Sequence, residues 1–276
     1  MEQDMPKTQD GTYWVRSGPQ GAPSVVMIHG LGLNSDVWQW MRPALDDRYD
    51  VISYDLYGHG QSAPPPSTPD LSLFSDQLAG LLAHLGVARA AIIGFSLGGM
   101  ICRRFAQNHP DHATALVILN SAHRRSVSAQ AAIEARVEQA RHEGPAATVE
   151  AALERWFTER YRASHPDMMA QVRAWVLANS PDVYPRNYAV LAHGVAEITQ
   201  PDIALPHPAL VMTAEEDWGN SPDMTRAIAE AMPNAEAVIL PGLRHMALVE
   251  NPAAVNQPVR RFLDHHLLGS TQHSSG

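Results

Sequence analysis

Short apolar runs rich in valine, isoleucine and leucine recur along the chain, with longer amphipathic stretches between them. Residues 12–16 (TYWVR) read as an edge strand. Residues 24–28 (SVVMI), 50–55 (DVISYD), 90–95 (AAIIGF), 115–120 (ALVILN), 209–214 (ALVMTA) and 236–240 (EAVIL) are nearly continuous apolar runs. Such runs are expected of parallel strands covered on both faces. Residues 70–86, 97–108, 222–232 and 252–267 instead carry helical periodicity. The alternation predicts an α/β fold, a mostly parallel central sheet with right-handed crossovers and helices on both faces.

One segment breaks the rhythm. From residue 121 to 200 no strand-like run appears, and residues 128–144, 147–162 and 166–179 place apolar residues three and four apart. A helical insertion between two strands leaves from the sheet end where α/β folds hold their ligands, so residues 122–200 are expected to form a cap. The core then comprises residues 11–121 and 201–268, with flexible ends at 1–10 and 269–276.

Composition narrows the function. A net charge of -9 and 45% hydrophobic residues fit a soluble globular protein and argue against nucleic acid or anionic membrane surfaces as partners. No apolar run approaches a membrane span, the N-terminus lacks a signal-peptide core, and the single cysteine excludes an intrachain disulfide, so the cytoplasm is the expected compartment. The 14 histidines show no metal-ligand spacing, and neither a metal nor another cofactor is expected. The partner is a small-molecule substrate, and composition leaves a homo-oligomer open.

The candidate chemistry begins in residues 92–99 (IIGFSLGG), where a buried run ends in Ser96 between Gly94 and Gly98. A G-x-S-x-G pattern after a strand and before a helix makes a sharp turn that exposes the hydroxyl and aims helix N–H groups at the same space. A serine nucleophile needs a base, and in sites of this kind the chain order is serine, acid, histidine. His245 is the histidine in the loop between the last strand and the last helix. Glu215, Glu216 and Asp217 all follow residues 209–214; Asp217 is preferred because the loop has by then cleared the sheet. The backbone N–H groups of Leu31 and Leu97 are the expected oxyanion donors, with His29 buttressing the first.

Taken together, residues 29–38 (HGLGLNSDVW), 54–62 (YDLYGHGQS), 94–99 (GFSLGG), 215–218 (EEDW) and 244–252 (RHMALVENP) resemble the α/β-hydrolase family. The resemblance implies Ser96 as nucleophile, Asp217 as acid and His245 as base, and it strengthens the preference for Asp217. It makes Asp55, Gly58, His59, Gly60 and Ser62 a structural loop and Glu250 a bracing residue. Serine at the turn separates the chain from the aspartate-bearing dehalogenases and epoxide hydrolases. Met246 after the histidine speaks against the carbon–carbon bond hydrolases, which often carry tryptophan there. Residues 116–122 (LVILNSA) and 155–162 (RWFTERYR) are similar to the β-ketoadipate enol-lactone hydrolases.

The expected activity is hydrolysis of a small ester or lactone through an acyl-enzyme, with an enol-lactone or other carboxylated acyl compound among the candidates. Trp38, Trp156, Phe157 and Trp218 are candidate apolar walls, Met246 a further substrate contact, and Arg124 and Arg125 candidate partners for a substrate carboxylate. The alternatives on the same fold are a cofactor-free lyase, carbon–carbon bond hydrolase or dioxygenase using His245 as base, and a non-catalytic ligand receptor.

Overall fold

The computed structural model describes residues 6–199 and 205–269. Its seven strands are β1 (Trp14–Ser17), β2 (Ser24–Ile28), β3 (Asp50–Tyr54), β4 (Ala90–Phe95), β5 (Ala113–Leu119), β6 (Ala209–Ala214) and β7 (Ala235–Leu240). They form one sheet in the order β1-β3-β2-β4-β5-β6-β7, with β1 antiparallel to β3 and every other pair parallel. Strands β2 to β6 are almost wholly buried, as their apolar runs require. Strand β7 departs from the expected buried strand: among the described residues it pairs only with β6, and Glu236 and Ala237 are exposed.

Helix α1 (Leu71–Leu85) starts where the Asp70 carboxylate accepts the Leu73 N–H and ends at Gly86, in the left-handed region. Its buried Leu71, Phe74, Leu78, Leu81 and Leu82 recur at helical spacing. Helix α2 (Leu97–Asn108) follows β4 directly. Between β5 and β6 come α3 (Val127–Glu143), α4 (Ala146–Trp156), α5 (Glu159–Ser164), α6 (Pro166–Leu177), α7 (Tyr184–His193) and α8 (Val195–Thr199). The helix expected over 147–162 is therefore two. Phe157 is extended at the break, and Thr158 caps α5 by accepting the Tyr161 N–H. After β6 come α9 (Pro222–Glu230), α10 (Ala247–Glu250) and α11 (Pro252–Leu263), the last followed by one π-helical turn.

The ends read as flexible need correction in part. Residues 1–5 and 270–276, like residues 200–204 at the expected boundary of cap and core, lie outside the described residues. Residues 6–10 are tied down: the Trp14 N–H bonds the Pro6 carbonyl, and the Tyr57 hydroxyl donates to the Asp10 carboxylate at 2.6 Å. Among the described residues no helix is long and apolar enough to cross a membrane.

The chain leaves β2 toward β3 on one side and returns to β4 on the other, which opens a crevice at the carboxyl ends of β2 and β4. There Ile28 lies opposite Gly94, and the first turn of α2 presses against the end of β2. A Cβ on Gly94 would stand 2.1 Å from the Gly98 carbonyl oxygen, and a Cβ on Gly98 would stand 2.1 Å from the Ile28 carbonyl oxygen. Both partners are backbone, so neither can yield without moving strand or helix. Between these glycines Ser96 is held at φ 56°, ψ -113°, a conformation unfavourable for a residue with a Cβ.

The loop after β2 is fixed from behind. His29 is fully buried; its Nδ1 donates to the Gly30 carbonyl at 2.7 Å and its Nε2 accepts the Leu56 N–H at 3.0 Å. The Asp55 carboxylate accepts the N–H groups of Ser35 and Gln61 at 2.7 and 2.8 Å. Burial lowers His29 from 6.5 to about 4. Burial, aided by the neighbouring His29, lowers His59 to about 3.

Gly98→Ala should cost about 3 kcal/mol of stability, the upper range for overpacking, measurable by urea denaturation. An unaltered midpoint would show that strand and helix can part. For the histidines, the unfolded chain takes up protons below pH 6.5 that the folded chain refuses until about pH 4 and 3. Their contribution is thus complete above 6.5 and shrinks as pH falls through that window, by on the order of 2 kcal/mol for each histidine at pH 5. His29→Asn should flatten the dependence of melting temperature on pH between 7 and 5; an equally steep curve would contradict this.

Candidate active site

The sequence places Ser96, Asp217 and His245 far apart, and the parallel sheet brings them to one edge. Ser96 follows β4, Asp217 follows β6 and His245 follows β7, and all three line one cavity with Gly30 and Leu31. Of the three acids after β6, Asp217 is the one that meets the histidine: its Oδ2 lies 2.7 Å from His245 Nδ1. Glu215 instead accepts the Gly242 N–H, and Glu216 faces Arg244 at 3.5 Å.

The Asp217 carboxylate is held in place by hydrogen bonds on both oxygens. Oδ1 accepts the N–H groups of Gly219 and Asn220 at 3.1 and 3.0 Å, and Oδ2 accepts the Asn120 amide at 2.9 Å. Sequence reasoning missed Asn120. It closes β5 in the left-handed region at φ 47°, which asparagine tolerates better than most residues, and its amide also reaches Thr213. The signal was an asparagine ending an otherwise apolar strand.

With Asp217 accepting at Nδ1, that nitrogen carries the proton and His245 Nε2 is left as the basic atom. The imidazole packs between Phe95 and Trp156, with ring centres 4.9 and 6.1 Å away. The N–H of Leu97 opens α2 next to Ser96, and the N–H of Leu31 sits at the loop after β2; neither has a protein acceptor among the described residues. Gly30 lies close over the serine: a Cβ there would be 3.1 Å from Ser96 Cβ.

The cavity measures about 190 Å³, below the range of drug-sized ligand pockets. The β-strand ends form one wall and α3, α4 and α7 form the other. Trp156 lines it, and Trp218 stands at its rim, two-thirds exposed under the Arg244 guanidinium. Three expected contacts are displaced. Trp38 is fully buried in the core, because the 3-10 helix that carries it packs against β2, β3 and α10. Met246 and Phe157 are also buried away from the cavity; the Met246 N–H donates to the Trp156 carbonyl at 2.9 Å.

Arg124 and Arg125 diverge, as adjacent residues must. Arg124 donates to the Thr199 carbonyl outside the cavity, whereas Arg125 lines it while bonding the Leu191 and Ala192 carbonyls. Two further cavity arginines escaped the sequence reading, Arg136 on α3 and Arg155 on α4. The signal for Arg155 is a charge beside the buried stripe of α4, three residues after Ala152, whereas α3 has too weak an apolar face to single out Arg136. Among the described residues no group of three or more histidine, cysteine or acidic side chains could hold a metal ion.

Glu250 braces the insertion against this site. Its carboxylate accepts the Thr158 N–H at 3.1 Å and the Thr158 hydroxyl, while Tyr161 donates to the Val249 carbonyl.

Comparison with known proteins bears on the fold and the family. The chain is 28% identical over 247 residues to the (E)-2-((N-methylformamido)methylene)succinate hydrolase of Acinetobacter baylyi, covering 89% of this chain and 91% of that one. It is 25% identical over 246 residues to 3-oxoadipate enol-lactonase 2 of the same organism, covering 89% and 90%. The crystal structure of the enol-lactonase from Burkholderia xenovorans LB400 superposes with a TM-score of 0.84 at 27% identity, covering 91% of this chain and 96% of that one. The alpha/beta hydrolase fold family matches residues 23–252, and the chain belongs to it as a hydrolase of that fold.

Proposed function

We propose that the protein cleaves a small ester or lactone through an acyl-enzyme on Ser96. The observation that carries this reading is the fixed Asp217–His245 pair opening onto the same cavity as a serine held in a strained turn. Relatives named for a substituted succinate and for an enol-lactone support a carboxylated acyl compound as substrate. Arg125, the nearer of the two arginines expected from the sequence, offers its remaining N–H groups to a carboxylate.

The proposed steps use these groups in turn. His245 Nε2 takes the Ser96 proton as Oγ attacks the acyl carbonyl, and Asp217 stabilises the imidazolium without accepting its proton. The carbonyl oxygen becomes an oxyanion facing the N–H groups of Leu31 and Leu97. Collapse breaks the bond to the leaving oxygen, which receives the proton from His245. Water, activated by the same nitrogen, then frees Ser96. The helical insertion serves as a cap that limits the acyl chain to the size of the cavity.

Ser96→Ala and His245→Ala should each lower kcat for p-nitrophenyl acetate by on the order of 10⁴-fold or more, since nucleophile and base act as one unit. Loss confined to His245→Ala would instead assign a base-only lyase or dioxygenase. Asn120→Gly, which removes a donor to an ionised carboxylate while easing the backbone, should lower kcat about tenfold to a hundredfold with little change in KM. Unchanged kcat would show that Asp217 does not need that bond.

A further inference from the structure

The charge in the cavity is unbalanced. Arg125, Arg136 and Arg155 line it, and Asp217, already committed to His245, is the one carboxylate among its lining residues. Three guanidinium charges against one carboxylate leave an excess of two positive charges in a protein whose net charge is -9.

The arginines differ in how far the protein satisfies them. Arg125 is clamped to two carbonyls at the end of α7. Arg136 donates through Nε alone, to the Tyr188 hydroxyl at 3.0 Å. Arg155, half-buried, has no hydrogen-bond or ion-pair partner among the described residues. A guanidinium carries five N–H donors, so about four on Arg136 and all five on Arg155 are uncommitted. Neither is a fully solvated surface group: both are half-buried, on the wall they share with Ile133 and Ala152. Burial and the charge of Arg136 both lower the pKa of Arg155, and burial with Arg136 lowers Arg125 to about 10. The Arg125 and Arg155 guanidiniums are thus held against desolvation and like-charge repulsion that an anion would relieve.

We infer that Arg136 and Arg155 form an anion subsite, and that the substrate carries two carboxylates besides the scissile acyl group, one at this subsite and one at Arg125. The inference rests on the proposed ester or lactone hydrolysis for its reaction, but the charge balance stands by itself. The three arginines come from three segments, the loop after β5, α3 and α4, and the cavity collects an excess of two positive charges from them, which two carboxylates would balance. Tyr188, bonded to Arg136 Nε, fixes that guanidinium so that its planar fork meets a carboxylate in two parallel bonds.

The test is calorimetric titration of the full chain with diacids that stand for the two non-reacting carboxylates, each matched in carbon number to a monoacid: adipate against hexanoate, and glutarate against pentanoate, with inorganic phosphate as a third arm. The diacids should bind at least about tenfold more tightly than their monoacids, and less tightly as salt rises. Arg155→Gln and Arg136→Gln should each lower diacid affinity by about tenfold or more, and Arg155→Lys should recover part of the loss. Matched acids binding alike, diacid affinity unmoved in both glutamine variants, or phosphate binding more tightly than either diacid would each overturn the assignment. The wild-type comparison needs no substitution, so a variant that fails to fold cannot shelter the idea. Failure of the hydrolase reading would show in the turnover of Ser96→Ala, and these binding constants would not move with it.

Discussion

The approach of α2 to the end of β2 is the contact on which the rest of the site hangs. Backbone meets backbone there, Gly98 against the Ile28 carbonyl, and no side chain fits between. That approach forces the tight turn, the turn strains Ser96, and the strain holds the hydroxyl proud of the sheet beside the first N–H groups of the helix. It also sets where the loop after β2 can run. Gly30 passes over Ser96 because His29, buried and neutral, bonds the Gly30 carbonyl on one side and the Leu56 N–H on the other.

Around this fixed point the protein separates two electrostatic tasks. The Asp217 side of the site is saturated: backbone N–H groups and the Asn120 amide surround the carboxylate, so it can orient His245 without drifting. The wall facing it, on α3 and α4, is left unsaturated and positive. On the proposed reading, one side is finished before substrate arrives and the other is completed by it. That division is what preorganised catalysis asks for: rigid groups at the reacting atoms, and binding energy drawn from the distant end of the substrate.

The positions of the strands and the tight turn at Ser96 between its two glycines were legible in the sequence because each is a local pattern with a steric or chemical cause, whereas the order of the strands across the sheet is set by tertiary packing and was not. The boundaries of α4 and α5 were not, since Phe157 and Thr158 break the helix for a tertiary reason, the bond from Thr158 to Glu250. Trp38 misled because an aromatic residue near a site motif reads the same whether it faces a cavity or the core. Asn120 was invisible as chemistry, because its role depends on a loop about a hundred residues further on coming to meet it. Arg155 could have been found: a charge beside the buried stripe of the amphipathic α4 has to be explained by something it faces, whereas α3 has too weak an apolar face to single out Arg136.

The bonds from Glu250 to Thr158 and from the Met246 N–H to the Trp156 carbonyl join the insertion to the very loop that carries His245. Arg244 adds to the seam by bonding the Glu154 and Phe157 carbonyls. Any displacement of α4 or α5 at this seam would carry the imidazole with it, so the position of His245 is set by the insertion as well as by the sheet.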